Sequence, residues 1–469
     1  MSWETIESAI RDKMKEAPET IPAFLASAKR VFEGDTGLLS ESSIEPAQGL
    51  PRFEDLDEPA PADHALFESL VVIKLNGGLG TGMGLEKAKS LLPVKGEDTF
   101  LDFIARQITH LRRGTGGHTP AFYLMDSFST QKDSLDYLKG RYPDLPDQDG
   151  ILDFLQSRVP KLLADTLEPV DWTTHPELEW CPPGHGDLYP SILNSGLLDR
   201  LIERGIRYAF VSNSDNLGAT MDLRLLKYFA QSELSFLMEA VERTAVDRKG
   251  GHLARRLSDG RLVLRESAQC PEEDLEAFQD IEKHPYFNSN NLWVRLDHLK
   301  EALDQFGGAL PLPLIRNTKT VDPKDGATPK VLQLETAMGA AIECFANTGA
   351  VVIPRSRFAP VKTSADWLSI QSDAYEATPD HRVVLAPARR GVPPVIRLDS
   401  ERYKRVDQLR DAIPHGAPSL IGLDTLEIHG PAIFEEGVIL EGSIRIENSS
   451  DAPLTIPAGA YRDHTFAAS

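Results

Sequence analysis

Residues 71–95 read VVIKLNGGLGTGMGLEKAKSLLPVK: an apolar run, a glycine-rich turn, then lysines opening into a second apolar stretch. Val71 to Leu75 has the composition of a buried strand, and Gly77, Gly78, Gly80, Gly82 and Gly84 follow at once. Glycines lack a Cβ, so main-chain N–H groups can close on a ligand, and successive N–H groups form a concavity that holds anions. Lys89 and Lys95 then offer charge for a polyphosphate. The spacing is neither the Walker pattern, which needs GK[ST] after the second glycine, nor a clean GxGxxG dinucleotide fingerprint. Alone, the stretch allows a phosphate cradle or a plain tight turn. The rest of the chain separates them.

Outward from this strand, short apolar runs alternate with longer helical patterns. Strands are predicted at 70–75, 121–125, 208–212, 234–241, 292–296, 331–334 and 351–354, with helices between several of them, such as 98–113 and 191–204. That alternation predicts an α/β domain with a largely parallel sheet covered by helices. Ligands of such sheets sit beyond the carboxyl ends of the strands, where the glycine loop and the SNSDN segment (212–216) would both lie. Upstream, Ile21, Phe24, Leu25, Ala28 and Phe32 recur at helical spacing, and the acidic, proline-bearing stretch 34–61 reads as a connecting loop. Downstream the pattern changes. Leu426, Ala432, Val438 and Ile444 are six residues apart, and so are Ile428, Phe434, Leu440 and Ile446. Two columns of that period predict a hexapeptide β-helix rather than an ordinary meander.

Bulk properties narrow the setting. A chain of 469 residues exceeds what one core usually fills, so more than one domain is expected. A net charge of −21 argues against nucleic-acid and anionic-membrane partners, which need basic surfaces. It also means that any phosphate site must supply local lysines, backbone N–H groups and a divalent metal. No apolar run approaches a bilayer span, and the start MSWETIESAIRDK lacks the features of a secretory signal. Cys181, Cys270 and Cys344 are widely spaced and read as reduced thiols of a cytoplasmic protein.

Three segments carry candidate chemistry. CPPGHGDLYPSI (181–192) sets His185 between Gly184 and Gly186 in a rigid turn, where it can bond a phosphate or a sugar hydroxyl. FVSNSDNLGA (210–219) puts Asp215 just past a strand. One such carboxylate suits Mg²⁺ when substrate phosphates complete the shell, and it equally suits the cap of a helix starting near Leu217. RSRFAPVKTSADW (355–367) gathers Arg355, Arg357 and Lys362 in an acidic chain, either for phosphate or for salt bridges.

With KLNGGLGTGMG, LQSRVPK, PPGHGDLY, NSGLLD, FVSNSDNLGA, DRKGG, FNSNNLW, VLQLETAMGAAI and PRSRFAPVKTSADW in order from about 70 to 370, the chain resembles the eukaryotic-type UTP–glucose-1-phosphate uridylyltransferase family. The tail SLIGLDTLEIHGPAIF fits as well. The resemblance implies a Rossmann-like nucleotidyltransferase domain with a mixed central sheet (63–385), preceded by a helical segment and linker (1–62) and followed by a left-handed β-helix (386–469). It implies a Mg²⁺-dependent reaction of UTP with glucose 1-phosphate. Leu75, Asn76, Gly77 and Gly78 match the family's UTP-cradling loop, with Gly77 and Gly78 also facing the sugar phosphate. Lys89 matches its phosphate lysine, Gln156 and Gly184 its uracil contacts, and His185 and Asn213 its glucose-1-phosphate contacts. Asp215 matches the metal ligand and Lys362 the catalytic lysine, while Gly250, Gly251, Glu266 and Asn290 fall in stretches like the sugar pocket. Two departures stand out: Lys87 and Ala88 replace a Gly-Pro pair, and the end at HTFAAS is short of the family's last β-helix turns, which bears on a homo-oligomer formed through that domain. Rival readings are a uridylyltransferase for N-acetylhexosamine or several sugar 1-phosphates, and a catalytically silent nucleotide-sugar-binding scaffold.

Overall fold

The computed structural model describes every residue except 116–118, 148–149, 245–246 and 469, so the last serine of the HTFAAS end lies outside the described residues. The strands that organise the molecule are β1 (Leu70–Asn76), β2 (Ala121–Asp126), β3 (Tyr208–Asn213), β4 (Phe236–Glu242), β5 (His252–Arg256), β6 (Leu262–Arg265), β7 (Tyr286–Arg295) and β8 (Thr348–Val352). In β1, Leu70, Val72 and their neighbours Phe122, Leu124 and Phe210 face one core, whereas Val71, Ile73, Tyr123, Met125 and Val211 face a second core on the other side. Alternate side chains of each strand thus enter opposite layers, and both layers are covered. A strand buried on both faces reads as a continuous apolar run, which is why LVVIKLN is so uniform.

β1 pairs in parallel with β2 on one side and β3 on the other. Beyond β3 the sheet departs from the parallel pattern that the strand–helix alternation predicts. β7 runs antiparallel to both β3 and β4, and only β8 restores a parallel pair with β4. β5 and β6 form a hairpin beside the first residues of β7, and a short strand, Ile44–Pro46, inside the 34–61 connection edges it. The sheet is mixed. The predicted strand at 331–334 also belongs elsewhere, in a three-stranded sheet with Leu314–Thr320 and Leu162–Leu163.

The first crossover helix, Phe100–Gly114, starts at Thr99, whose side chain and that of Asp102 cap it reciprocally. The helix expected over 191–204 is two helices, Leu188–Asn194 and Leu197–Glu203, because Gly196 takes a left-handed conformation with φ 70°. Helix Ile21–Phe32 forms as expected and is joined by an unforeseen partner, Trp3–Lys13. Ile21, Phe24, Leu25 and Ala28 share one core with Leu314, Leu332 and Leu334 of the three-stranded sheet. Phe32 does not join it: it lies 40% exposed against Trp3.

The hexad columns form a coil. In β9 (Ser419–His429) and β10 (Val438–Asn448), Leu426 lies beside Ile444 and Ile428 beside Ile446, in parallel and three hexads apart. Ala432–Phe434 stacks on Leu454–Ile456 in the same way. All eight column residues are buried, so both columns line the interior. Among the described residues no helix is long and apolar enough to cross a membrane.

Candidate active site

Because β1, β2 and β3 are parallel and in register, their carboxyl ends open on one rim. The glycine loop leaves β1 there. Its turn is closed by the Lys89 N–H, which donates to the Gly78 carbonyl at 3.0 Å, with Gly80 and Gly84 at φ 68° and 75°. Ser127, just past β2, donates its hydroxyl to the Gly77 carbonyl at 2.9 Å. Gln156 donates its N–H to Asp126 O at 2.8 Å, and its side-chain amide lies so close over Gly77 that any Cβ would strike it. The Leu75 carbonyl accepts the Ser214 N–H at 3.0 Å, tying this loop to the one after β3. Asn76 ends β1, where the glycine loop begins. Its buried amide turns inward, donating to Asp126 Oδ1 at 2.7 Å and Ser134 Oγ at 2.8 Å. Burial pushes the Asp126 carboxyl up to about 7.

Asp215 sits in a turn after β3, and no helix begins at Leu217. The next helix, Leu223–Gln231, is capped by Asp222. The capping role expected as an alternative for Asp215 is therefore excluded by the chain path. Asp215 Oδ2 accepts from Lys89 Nζ at 2.6 Å, while its Oδ1 is buried without a hydrogen-bond partner. A carboxylate oxygen left bare beside a phosphate-type loop fits a hard divalent cation whose remaining ligands come from substrate. Among the described residues there is no cluster of three or more His, Cys, Asp or Glu, so this one carboxylate would be the protein's share. The Asp215 carbonyl accepts the Val361 N–H at 3.2 Å, which places Lys362 alongside. Lys362 is exposed, its N–H donating to Asp366 Oδ2 at the cap of helix Ser364–Gln371.

His185 Nδ1 accepts the Met338 N–H at 2.9 Å. That bond fixes the neutral tautomer with the proton on Nε2, which becomes a donor. Its ring is sunk among protein atoms, and burial, helped by the Lys362 charge, holds its pKa down at about 4. Gly184 must be glycine: at φ 81° a Cβ would lie 2.5 Å from Thr336 O.

A cavity of about 560 Å³ continues from Lys362, lined by Asn213, Gly250, Gly251, Glu266 and Asn290 among others. Burial raises the Glu266 carboxyl, and the charge of Lys362, which lines the same cavity, opposes that rise. A Cβ on Gly251 would come within 2.5 Å of Glu266 Oε2, so a side chain there would displace the carboxylate. Asn290 has φ 60°, unusual for a non-glycine residue, in a bulge where β7 slips against β4. Strained backbone of this kind concentrates at ligand sites.

Three predicted phosphate cations are engaged by protein groups, although Arg355 and its partner Asp247 also line this cavity. Arg355 pairs with Asp247 at 2.8 Å and Arg357, fully enclosed, pairs with Glu239 at 2.8 Å, so the salt-bridge reading holds for both. Lys95 donates to Ser372 O at 2.5 Å. Sequence reading missed Lys74 and Glu239, both buried under the rim; Lys74 Nζ donates to Ser212 Oγ at 2.8 Å and to Ala219 O at 2.6 Å. The signal was present: Lys74 is the lone ionisable residue of LVVIKLN, and Glu239 sits mid-strand in the apolar FLMEAVE, whose other glutamate, Glu242, is exposed at its end.

A mixed α/β sheet with a glycine loop at one rim, two lysines and a bare carboxylate beside it, and a polar cavity beyond defines a nucleotidyltransferase of phosphorylated sugars. The family described as UTP–glucose-1-phosphate uridylyltransferase matches residues 22–441, and the chain belongs to it. It is 41% identical to the Saccharomyces cerevisiae UTP–glucose-1-phosphate uridylyltransferase over 86% of this chain and 79% of the yeast protein. It is 40% identical to the Solanum tuberosum enzyme over 87% and 83%. A Leishmania major UDP-glucose pyrophosphorylase variant in complex with UDP-glucose superposes with a TM-score of 0.94 at 47% identity, covering 99% of each chain. The Trypanosoma brucei structure does so with 0.92 at 45%, covering 98% and 99%.

Proposed function

We propose that the chain transfers uridylate from UTP to glucose 1-phosphate, forming UDP-glucose and pyrophosphate, and that the reaction is reversible. The observation that carries the reading is the meeting of the Lys89–Asp215 pair with the Lys362 segment, between the glycine loop that packs under the Gln156 amide and a polar cavity lined by Gly250, Glu266 and Asn290.

In this reading uracil lies against Gly77 and Gly184 with the Gln156 amide on its edge. The glycine loop N–H groups and Lys89 take the triphosphate. Glucose 1-phosphate occupies the cavity, with Glu266 and Asn290 toward sugar hydroxyls. His185 Nε2–H and Asn213 donate to its phosphate side. A phosphate oxygen of glucose 1-phosphate attacks the α-phosphorus of UTP, and the bond from that phosphorus to the β-bridging oxygen breaks, releasing pyrophosphate. The nucleophile is already ionised near neutral pH, so no general base is required. What remains is alignment and neutralisation of two crowded polyanions. Lys362 stabilises charge at the α-phosphorus, and Lys89, on leaving Asp215, follows the departing pyrophosphate. A Mg²⁺ ion on Asp215 would supply further neutralisation and draw the two phosphates together.

The same reading takes the carboxyl-terminal coil as left-handed and as the surface for any homo-oligomer. The acidic surface and three free cysteines accord with a cytoplasmic setting. Pyrophosphate release measured across nucleoside triphosphates and sugar 1-phosphates, with and without Mg²⁺, tests the proposal. UTP with glucose 1-phosphate should be preferred and the metal required. Clear preference for another pair, an N-acetylhexosamine 1-phosphate included, would overturn it.

A further inference from the structure

Glu239 lies in the middle of β4, fully buried, yet each of its bonds reaches a segment bordering the cavity or the strand beneath it. Its Oε1 accepts Trp293 Nε1 at 3.0 Å and Arg357 Nη2 at 2.8 Å. Its Oε2 accepts Asn291 Nδ2 at 3.0 Å and Arg357 Nε at 2.8 Å. Its own carbonyl accepts the Ser289 hydroxyl at 2.7 Å. Asn291 and Ser289 flank Asn290 on the bulge where β7 shifts register against Glu239 and Ala240. On the other side Arg357 begins the path to the catalytic lysine. Asn216 Nδ2 donates to Arg357 O at 3.2 Å and its Oδ1 accepts the Ala359 N–H at 2.9 Å; Pro360 bridges to Asn216, and Val361 to Asp215.

An ion pair this deep gains little net stability over well-packed apolar side chains. Its geometry does something apolar packing cannot. One carboxylate, with both oxygens doubly occupied, fixes the bulge that turns Asn290 toward the sugar and the loop that presents Lys362 to the phosphorus. We infer that Glu239 is a positioning residue that locks the sugar-reading bulge to the lysine loop, so that sugar recognition and phosphoryl alignment depend on one buried bidentate pair with Arg357. This deepens the proposed uridylyl transfer and rests on it.

The test uses the full chain with Glu239→Gln, which keeps the shape and removes the charge, beside Trp293→Phe, which removes one donor from the same carboxylate and touches neither loop. Each is assayed well below its own melting temperature. Glu239→Gln should lower kcat roughly 10- to 100-fold, the range for a displaced reacting group. It should also raise KM for glucose 1-phosphate and narrow the preference over galactose 1-phosphate, while Kd for UTP stays at the native value. Trp293→Phe should lower the melting temperature and leave kcat, KM and sugar preference intact. Should Glu239→Gln not fold, Ser289→Ala frees only the bulge and should still raise KM for glucose 1-phosphate and narrow the sugar preference. Native kcat and KM in folded Glu239→Gln, or native sugar kinetics in Ser289→Ala, overturns the inference. A native chain that does not turn over UTP with glucose 1-phosphate refutes the functional reading instead.

Discussion

RSRFAPVK reads either as a phosphate cluster or as salt-bridge cations; its two arginines form salt bridges, whereas Lys362 stays exposed. The difference is physical. Arg357 and Arg355 find carboxylates, Glu239 and Asp247, that lie far off in sequence, and no local pattern records which cation a distant acid will claim. Lys362 lines the cavity. Lys362→Met should therefore stay folded and lose about 10²–10³-fold in kcat, the usual cost of a preorganised electrostatic donor. Near-native kcat would return Lys362 to an ordinary surface role. Asp215→Asn should cut turnover and raise the Mg²⁺ requirement with little change in melting temperature, since its side-chain partner among the described residues, Lys89, is itself reachable by solvent. Early melting with normal Mg²⁺ dependence would assign it a structural role. Asp126 gives a pH signature. Burial raises its pKa to about 7 in the fold, above its unfolded value, so its favourable contribution is present at low pH and is lost as pH rises through 7. Asp126→Asn should then gain stability over the native chain between pH 4 and 8, by up to about 4 kcal/mol, in urea unfolding. A difference independent of pH would mean the carboxyl ionises freely.

At the scale of elements, the strands of the central sheet were visible because each is a compact apolar run. Their directions were not. Whether β7 lies parallel or antiparallel to β3 depends on a pairing across some eighty residues of intervening chain, and composition cannot encode it. The break at Gly196 was hidden for a related reason: glycine is tolerated within a helix as well as between two, and only the packing chose. The hexads were legible because a coil repeats its own environment. Phe434 is fully buried between the turns, so Phe434→Asp would place an unpaired carboxylate in the coil interior. Loss of solubility or a sharply lowered melting temperature is expected, with chemistry spared in whatever remains folded. Unchanged melting and hydrodynamic size would contradict a stacked core.

Across the whole molecule, the site is assembled from the ends of β1, β2 and β3, the Gln156 segment, the turn of Gly184 and His185, the β5–β6 hairpin, the β7 bulge and the Lys362 loop. Motif order made the parts recognisable, while the buried polar layer beneath them, Lys74, Glu239, Arg357 and Asn216, emerged only in three dimensions. That layer faces inward, and its partners come from separate strands. The central claim is that one cleft holds the base at Gly77 and Gln156, the phosphates between Lys89, Asp215 and Lys362, and the sugar beside Glu266 and Asn290. The crystal structure of this chain with UDP-glucose tests it most directly. The account predicts uracil against Gly77 and Gly184 with its edge on the Gln156 amide, the diphosphate within hydrogen-bond reach of Lys362, and glucose hydroxyls on Glu266 and Asn290. UDP-glucose bound elsewhere, or in the reverse orientation with its sugar at Gly77, would contradict it.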